Sequence, residues 1–320
     1  MNLAYFLRRL GAALPTLVAI SVVIFAILAL APGDPFGEFA TNGALSPEVR
    51  DRLRESLGLN DPLPVRYLKW ATAFMRGDMG YSFVSRVPVA QLIAQRLPAT
   101  LAVVGIAYGL SVAIAVPLGT LSALKRHTWI DRTITTISFI GFSLPTFFTG
   151  ILAILLFSVK LRWLPFIYDS TLEVRDLGSL WAQIRQSILP IGVLTAFQCA
   201  SLLRFTRAAV LEQLSRDYVR TARAKGLLPW TIVNRHILRN ALIPVVTLVA
   251  LDVPTVLTGA LVTEQVFRVP GIGSLLIDSI QRSDTPVVMA IAFIYAIAIV
   301  LFNLLADLVY GWLDPRVQYR

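Results

Sequence analysis

Six apolar runs, each long enough to cross a lipid bilayer as a helix, constrain this chain more than any other feature. A bilayer core of roughly 30 Å requires about 20 consecutive apolar residues in helical form. The runs cover residues 11–31, 97–124, 133–159, 186–203, 240–263 and 285–306. None alternates polar and apolar residues as strands of a membrane barrel do over about ten residues. The sequence therefore predicts an all-α polytopic membrane protein with six transmembrane helices.

The composition and the N-terminus agree with this prediction. Of the 320 residues, 56% are hydrophobic and 15% are charged, whereas a soluble domain is about a quarter charged. The single cysteine, Cys199, cannot form an internal disulfide, and its apolar run predicts a buried, unreactive thiol. Arg8 and Arg9 precede the first run as in a signal peptide. That run, however, exceeds the usual 7–15 residues of a signal, so we predict an uncleaved first span.

The distribution of charge predicts the orientation, because six spans place both termini on one side of the membrane. If that side is the cytoplasm, the inner segments carry 15 cations and four acids, and the outer segments carry 14 cations and 13 acids. Eight of the outer cations lie in the loop 32–96, and loops of this length follow the positive-inside rule poorly. We therefore predict an N-in, C-in protein with a large external loop after helix 1.

The span positions divide the chain into three parts. Residues 1–96 hold the first transmembrane helix and the external helical loop. Residues 97–311 form a core of five transmembrane helices, and residues 312–320 form a cytoplasmic tail. Three short outer helices are expected. One begins at the N-cap Ser46 and ends at Gly58, the second carries an aromatic stripe that packs or lies at the interface, and the third lies on the outer surface. The second and third are marked by Tyr67, Trp70 and Phe74 and by Leu275, Leu276 and Ile280.

A basic insert, residues 204–239, separates the fourth and fifth runs. Residues 218–244 contain no acid but hold His236 and five cations: Arg220, Arg223, Lys225, Arg235 and Arg239. Helical spacing of Leu211, Leu214 and Tyr218, with Glu212 and Arg216 as an i,i+4 pair, predicts a first helix. Gly226 would end it in a left-handed conformation, and Pro229 would begin a second helix. The prediction is a helix, a tight turn and a helix on the cytoplasmic face.

Three interpretations of the insert compete. It could be a basic surface near anionic lipid, where each cation contributes about 1 kcal/mol. It could be a helix-turn-helix that binds nucleic acid, but both of its ends are tied to membrane spans and a reading helix needs room to enter a groove. It could also be a docking element that transmits motion from a soluble partner to the fourth and fifth spans.

The insert and several other motifs resemble the ABC importer permeases of the dipeptide and oligopeptide family, in the branch of their first permease subunit. "YVRTARAKGL" followed by "HILRNALIP" is similar to the cytoplasmic EAA loop of that family. Five further motifs occur in the same order along the chain: "LAPGDP", "RGDMGYS", "QRLPATL", "SLPTFFTGILAILLFSV" and "TEQVFRVPGIGSLL". Together they cover nearly the whole sequence.

The resemblance implies that this loop is the coupling element that docks on a cytoplasmic ATPase. The residues assigned to this role are Arg220, Thr221, Ala222, Arg223, Ala224, Lys225, Gly226, Leu227, Pro229 and Trp230. Two departures favour the peptide branch: Arg220, Thr221 and Ala222 replace Glu-Ala-Ala, and Ile243-Pro244 replaces an earlier Leu-Pro. Asp252 stands where an uncharged or amide residue is expected, and we assign it no role.

The chain contains no G-x-x-x-x-G-K-[ST] loop, so we expect ATP and Mg²⁺ to bind to partner subunits and no cofactor to bind here. The resemblance implies a second homologous permease, two ATPase subunits, an external binding protein and the lipid bilayer as partners, but no nucleic acid. It implies location in the bacterial inner membrane. The solute would be a dipeptide or oligopeptide, with glutathione or a nickel chelate as alternatives.

A self-sufficient secondary transporter is the rival class. Such proteins place ionisable residues within their spans, and here only Asp252 lies deep in a span, with Asp307 near the inner end of the sixth. Four prolines are expected to interrupt spans: Pro117, Pro145, Pro190 and Pro254. Catalysis by the chain is not expected, because His127 and His236 both fall in basic inner loops without the carboxylate and nucleophile of a triad.

Overall fold

The computed structural model describes residues 3–30, 55, 60–258 and 260–313, and nearly all of them are helical. Five helices in this part are long and apolar enough to cross a membrane. A sixth crossing results when the bent pair Trp129–Ser143 and Thr146–Lys160 is counted as one span. The prediction of a polytopic all-α protein is therefore confirmed. The first outer helix, expected from Ser46 to Gly58, falls almost wholly outside the described residues.

Twelve α-helices can be followed in chain order through the described residues. They are α1 Leu3–Leu30, α2 Leu63–Met75, α3 Val89–Leu124, α4 Trp129–Ser143, α5 Thr146–Ala153, α6 Leu177–Leu214, α7 Asp217–Ala224, α8 Pro229–Thr231, α9 Arg239–Thr258, α10 Leu261–Phe267, α11 Ile272–Gln281 and α12 Thr285–Leu313. A π-helical turn, Ile154–Lys160, extends α5, and a second, Ile232–Leu238, joins α8 to α9. The second helix predicted in the basic insert is thus the beginning of the fifth span.

The long helices extend beyond the apolar runs that predicted them. At 1.5 Å per residue, the 36 residues of α3 measure about 54 Å, well above a bilayer core of roughly 30 Å. The 38-residue α6 starts at a capping box, in which the Asp176 carboxylate accepts from the Ser179 N–H at 2.7 Å. Hydropathy marked only the middle of each helix, because the ends leave the apolar layer.

The third span is not the single helix predicted over residues 133–159. Its two halves, α4 and α5, meet at an angle of 101°. Leu144 between them is extended, with φ −92° and ψ 130°, because a following proline disfavours the helical conformation. Pro145 then starts the new helix. The other three prolines expected to interrupt spans lie within continuous helices: Pro117, Pro190 and Pro254.

The most extensive helix contact in the described residues joins α3 to α6. The two backbones approach closely at Gly119, where an added Cβ would lie 2.8 Å from the Leu203 carbonyl oxygen and 2.9 Å from Thr206 Cβ. Small residues permit such approach between membrane helices. Cys199, expected to be buried, is half-buried on α6 and packs beside this contact. The α3–α6 pair is therefore the centre of the bundle.

The aromatic stripe of α2 is a packing face. Tyr67 lies 5.5 Å from Phe25 of α1 between ring centroids, and its hydroxyl is 2.9 Å from the Ser21 hydroxyl. Trp70 and Phe74 lie 5.4 Å and 5.0 Å from Phe293 of α12. Edge-to-face pairs at these distances stabilise the packing beyond simple burial. The stripe holds α2 against α1 and α12.

The third outer helix, α11, is embedded more deeply than predicted. Its first turn is buried, and Leu275 and Leu276 pack against a core cluster that includes Val89 and Val287. Ile280, predicted to share their face against a surface, is 58% exposed. The helix therefore belongs to the bundle at its start and reaches the surface only at its end.

A buried carboxylate fixes the start of α11. Glu264 of α10 accepts hydrogen bonds from the Thr100 hydroxyl at 2.8 Å and from the Ser274 N–H at 3.0 Å. Thr100 in turn accepts from the Ile272 N–H at 2.8 Å. Burial raises the pKa of Glu264, and its hydrogen bonds act in the opposite direction. An added Cβ on Gly271 would lie 2.2 Å from the carboxylate, so the backbone must be glycine there.

Candidate functional site

The basic turn, defined as residues 217–230, is the candidate site. The single helix predicted to lead into it is wrong: α6 ends at Leu214 and α7 begins at Asp217. Between them, the Ser215 hydroxyl donates to the Glu212 carbonyl at 2.8 Å, and Arg216 is extended, with φ −73° and ψ 147°. Side-chain bonding of serine to a preceding carbonyl competes with continuation of a helix. The break lets α7 change direction.

Gly226 ends α7 as predicted. Its φ of +72° is left-handed, and its N–H donates to the Arg223 carbonyl at 2.9 Å. The Leu227 N–H donates to the Ala222 carbonyl at 3.3 Å. These two bonds form a Schellman motif, which satisfies carbonyls at the helix end. Pro229 then occupies the first turn of α8, also as predicted.

Two apolar residues of α7 attach the basic turn to the bundle. Val219 and Ala222 are buried in a cluster with Val210 of α6 and with Ile232 and Ile237 of the π-helical turn. Valine and alanine at i and i+3 lie on the same face of a helix. The turn is therefore fixed to the end of the fourth span and to the start of the fifth.

The opposite face of the basic turn is exposed. Of the ten residues predicted to couple, only Ala222 is buried. The exposed nine are Arg220, Thr221, Arg223, Ala224, Lys225, Gly226, Leu227, Pro229 and Trp230. Trp230 is 75% exposed and the neighbouring Leu228 is 72% exposed. The structure thus gathers cations and large apolar side chains on one solvent-facing turn.

Few of these cations are neutralised locally. The predicted pair of Glu212 and Arg216 is confirmed as an ion pair, and Arg220 lies 3.6 Å from Asp217 with both side chains exposed. Exposed pairs of this kind contribute at most about 1 kcal/mol. Within the described residues, neither Arg223 nor Lys225 belongs to an ion pair. Both remain available to an acidic surface.

An ion pair that sequence reasoning missed holds three helices beside the basic turn. Arg207 of α6 donates to both oxygens of Asp131 on α4, at 2.8 and 2.9 Å, and the buried Ser122 of α3 donates at 2.5 Å. Ser122 precedes Ala123, which packs in the same cluster as Val219. The available signal was a lone acid in a loop otherwise rich in cations. The bidentate contact fixes the platform on which the turn stands.

Comparison with known proteins places the chain among membrane components of transport systems. The family "Binding-protein-dependent transport system inner membrane component" matches residues 115–319, and its N-terminal counterpart matches residues 2–104. The chain is 40% identical to the oligopeptide transport system permease protein AppB of Bacillus subtilis, over 99% of each chain. It is 38% identical to the dipeptide transport system permease protein DppB of Escherichia coli, again over 99% of each.

Solved structures share the fold. An amino acid ABC transporter matches 70% of this chain and 94% of its own, with a TM-score of 0.52 and 14% identity. The MetNI methionine ABC transporter, in an inward-facing conformation, matches 70% of this chain and 97% of its own, with a TM-score of 0.52 and 19% identity. With two family matches that together cover most of the sequence, the chain belongs to the family of binding-protein-dependent transport system inner membrane components.

Proposed function

We propose that the chain is the permease subunit of an ATP-binding-cassette importer and forms half of the pathway for dipeptides or oligopeptides. The observation that carries this proposal is the basic turn, which is anchored to two spans and exposes cations beside Trp230. Full-length similarity to AppB and DppB, whose names specify oligopeptide and dipeptide transport, supports the peptide class. An external binding protein would deliver the solute.

The exposed face of the basic turn suits a protein partner better than a lipid surface or a nucleic acid. Arginine and tryptophan are enriched among residues that dominate binding energy at protein interfaces. The Schellman turn limits the conformations of the segment, which lowers the entropy lost on docking. Arg220, Arg223 and Lys225 would meet acidic groups of a cytoplasmic ATPase, and Leu228 and Trp230 would enter its groove.

The orientation and location follow from this role. With the bent pair counted as one crossing, six spans place both termini and the basic turn in the cytoplasm, and 15 cations lie on that side. The membrane would be the bacterial inner membrane, as the family description indicates. The division at residues 96/97 and 311/312 stays a prediction.

The complex would contain a second homologous permease, two ATPase subunits and the external binding protein. ATP and Mg²⁺ would bind to the ATPase subunits, because the sequence of this chain lacks a phosphate-binding loop of the G-x-x-x-x-G-K-[ST] type. The chain itself would be non-catalytic. Its part in the cycle would be to convert movement at the basic turn into movement of the fourth and fifth spans.

Reconstitution tests the proposal. Liposomes that contain the complete complex and its binding protein should concentrate L-alanyl-L-alanine only with ATP, and the purified chain alone should neither hydrolyse ATP nor concentrate the peptide. ATP turnover by the single chain would refute the assignment. Uptake of glutathione or a nickel chelate instead of peptides would keep the importer and change the solute.

A further inference from the structure

A cavity of about 490 Å³ lies at the corner between α4 and α5. Its wall includes Tyr108 of α3 and Gln198 of α6, which lie near the middle of their helices, and therefore near the middle of the bilayer. The volume falls within the roughly 300–1,000 Å³ typical of small-molecule sites. A cavity at this depth and of this size can hold a solute in transit.

The cavity wall combines one carboxylate with aromatic rings. Asp252 is the charged member of a mostly apolar lining. Phe142 and Phe197 stack in parallel beside it, with centroids 6.1 Å apart and an interplanar angle of 8°. An ionisable residue within a membrane span marks a functional site by default, and aromatic faces attract cations. The wall therefore favours a positively charged organic group.

Gln198 supplies a second acceptor. Its Oε1 atom is buried, and within the described residues no donor reaches it. A buried acceptor without a partner is rare, because it loses its bonds to water. Gln198 lines the same cavity as Asp252, so a ligand that donates several hydrogen bonds would satisfy both. A primary ammonium group has three donors and a positive charge.

Arg204 shows that these rings already interact with a cation. Its guanidinium carbon lies 4.2 Å from the centroid of the Phe142 ring and 5.5 Å from that of Phe139. Arg204 is not part of the cavity wall, which leaves the carboxylate of Asp252 as the charge that an incoming solute would meet. The polarity of the wall is thus opposite to that of the basic turn.

We propose that this cavity binds the amino terminus of the transported peptide, with Asp252 and Gln198 as acceptors of the ammonium group and Phe142 and Phe197 as its aromatic wall. The inference rests on the proposed function in one respect, since it takes a peptide as the solute. It adds a solute-binding site within the membrane to the one on the external binding protein.

Uptake by the reconstituted complex is the first test. Asp252→Asn should lower ATP-dependent uptake of L-alanyl-L-alanine roughly tenfold per assembled complex, the effect expected for one charge-assisted hydrogen bond, and Asp252→Glu should retain most of it. Asp61→Asn, which removes a carboxylate from the exposed pair with Lys69, is the matched control and should transport normally. Wild-type uptake by Asp252→Asn would overturn the site.

A protection assay separates this site from the proposed function. Ser201 lines the cavity, so Ser201→Cys in a Cys199→Ala background should react with a maleimide. L-alanyl-L-alanine should slow this reaction and its N-acetylated form should not; the difference should vanish in Asp252→Asn. Equal protection by both peptides would overturn the ammonium site even if uptake is normal. Absence of uptake by the wild type would instead overturn the proposed function, and protection alone would then decide the site.

Gln198→Met is a second variant of similar volume that removes only the uncharged acceptor. It should lower uptake by about threefold, a loss of somewhat under 1 kcal/mol for a neutral hydrogen bond. If Asp252→Asn fails to assemble, this variant carries the test, and unchanged uptake and protection by Gln198→Met would refute the assignment.

Discussion

Substitutions at Gly226 separate the shape of the basic turn from its charge. Gly226 has φ +72°, and an added Cβ there would meet nothing within 4 Å. The cost of a side chain is therefore a backbone cost without a steric clash. For alanine in the left-handed region, that cost is about 1–2 kcal/mol, whereas asparagine and aspartate visit this region more readily.

A cost of about 1–2 kcal/mol lowers the population of the turn by a factor of roughly 5–30. We therefore expect Gly226→Ala and, more strongly, the β-branched Gly226→Val to reduce solute-stimulated ATPase activity and co-purification of the ATPase subunits. Gly226→Asn should stay close to wild type. Gly226→Asp should uncouple transport, because it places a negative charge where an acidic groove must close.

The assay compares uptake, stimulated ATPase activity and subunit pull-down for the four variants in the reconstituted complex. All four should remain in the membrane at wild-type levels, since the change lies outside the spans. Arg223→Glu reverses one charge without altering the turn, and we expect a weaker loss than with Gly226→Asp. Full coupling in Gly226→Val and Arg223→Glu together would show that the turn is only a lipid-facing surface.

Three further predictions test other parts of the structure. Gly119→Leu should lower thermal stability by several kcal/mol through a clash with α6, whereas Gly109→Leu, where a Cβ meets nothing within 4 Å, should not; equal losses would contradict the close approach. Because burial raises the pKa of Glu264 above its ordinary 4.5, the folded state binds the proton more tightly, so wild-type stability should fall as pH rises above that value. Glu264→Gln should flatten this slope in melts between about pH 4 and pH 7, and an unchanged slope would assign it to another group. In a Cys199-free background, an impermeant thiol reagent on whole cells should label Asp78→Cys but not Lys225→Cys, and the reverse pattern would invert the topology.

Local patterns predicted the parts of the fold that depend on local physics. Apolar length identified the spans, and the conformational freedom of glycine identified the end of α7 at Gly226. The spacing of Tyr67 and Trp70 identified a packing face, although its partner Phe293 lies far away in the sequence. These features require only the residues themselves and their helical neighbours.

Features that depend on distant contacts could not be predicted in this way. Pro117 and Pro145 both lie in apolar runs, yet only Pro145 breaks its helix. After the break, Gly150 of α5 lies against Val266 and Phe267 of α10, and this contact, more than a hundred residues away along the chain, holds the new direction. The Asp131–Arg207 pair is likewise invisible to helical periodicity, because its members lie 76 residues apart.

The corner at Pro145 has a consequence for biogenesis. Each leg of the bent span has about 15 residues and measures about 22 Å, less than the roughly 30 Å of the hydrocarbon layer. Backbone that leaves the helix at this depth is tolerated only where protein or a water-filled cavity covers it, and the cover here is α6, which is synthesised later. The third span should therefore leave the translocon stably only together with the fourth, so that insertion proceeds in a pair at this point rather than one helix at a time.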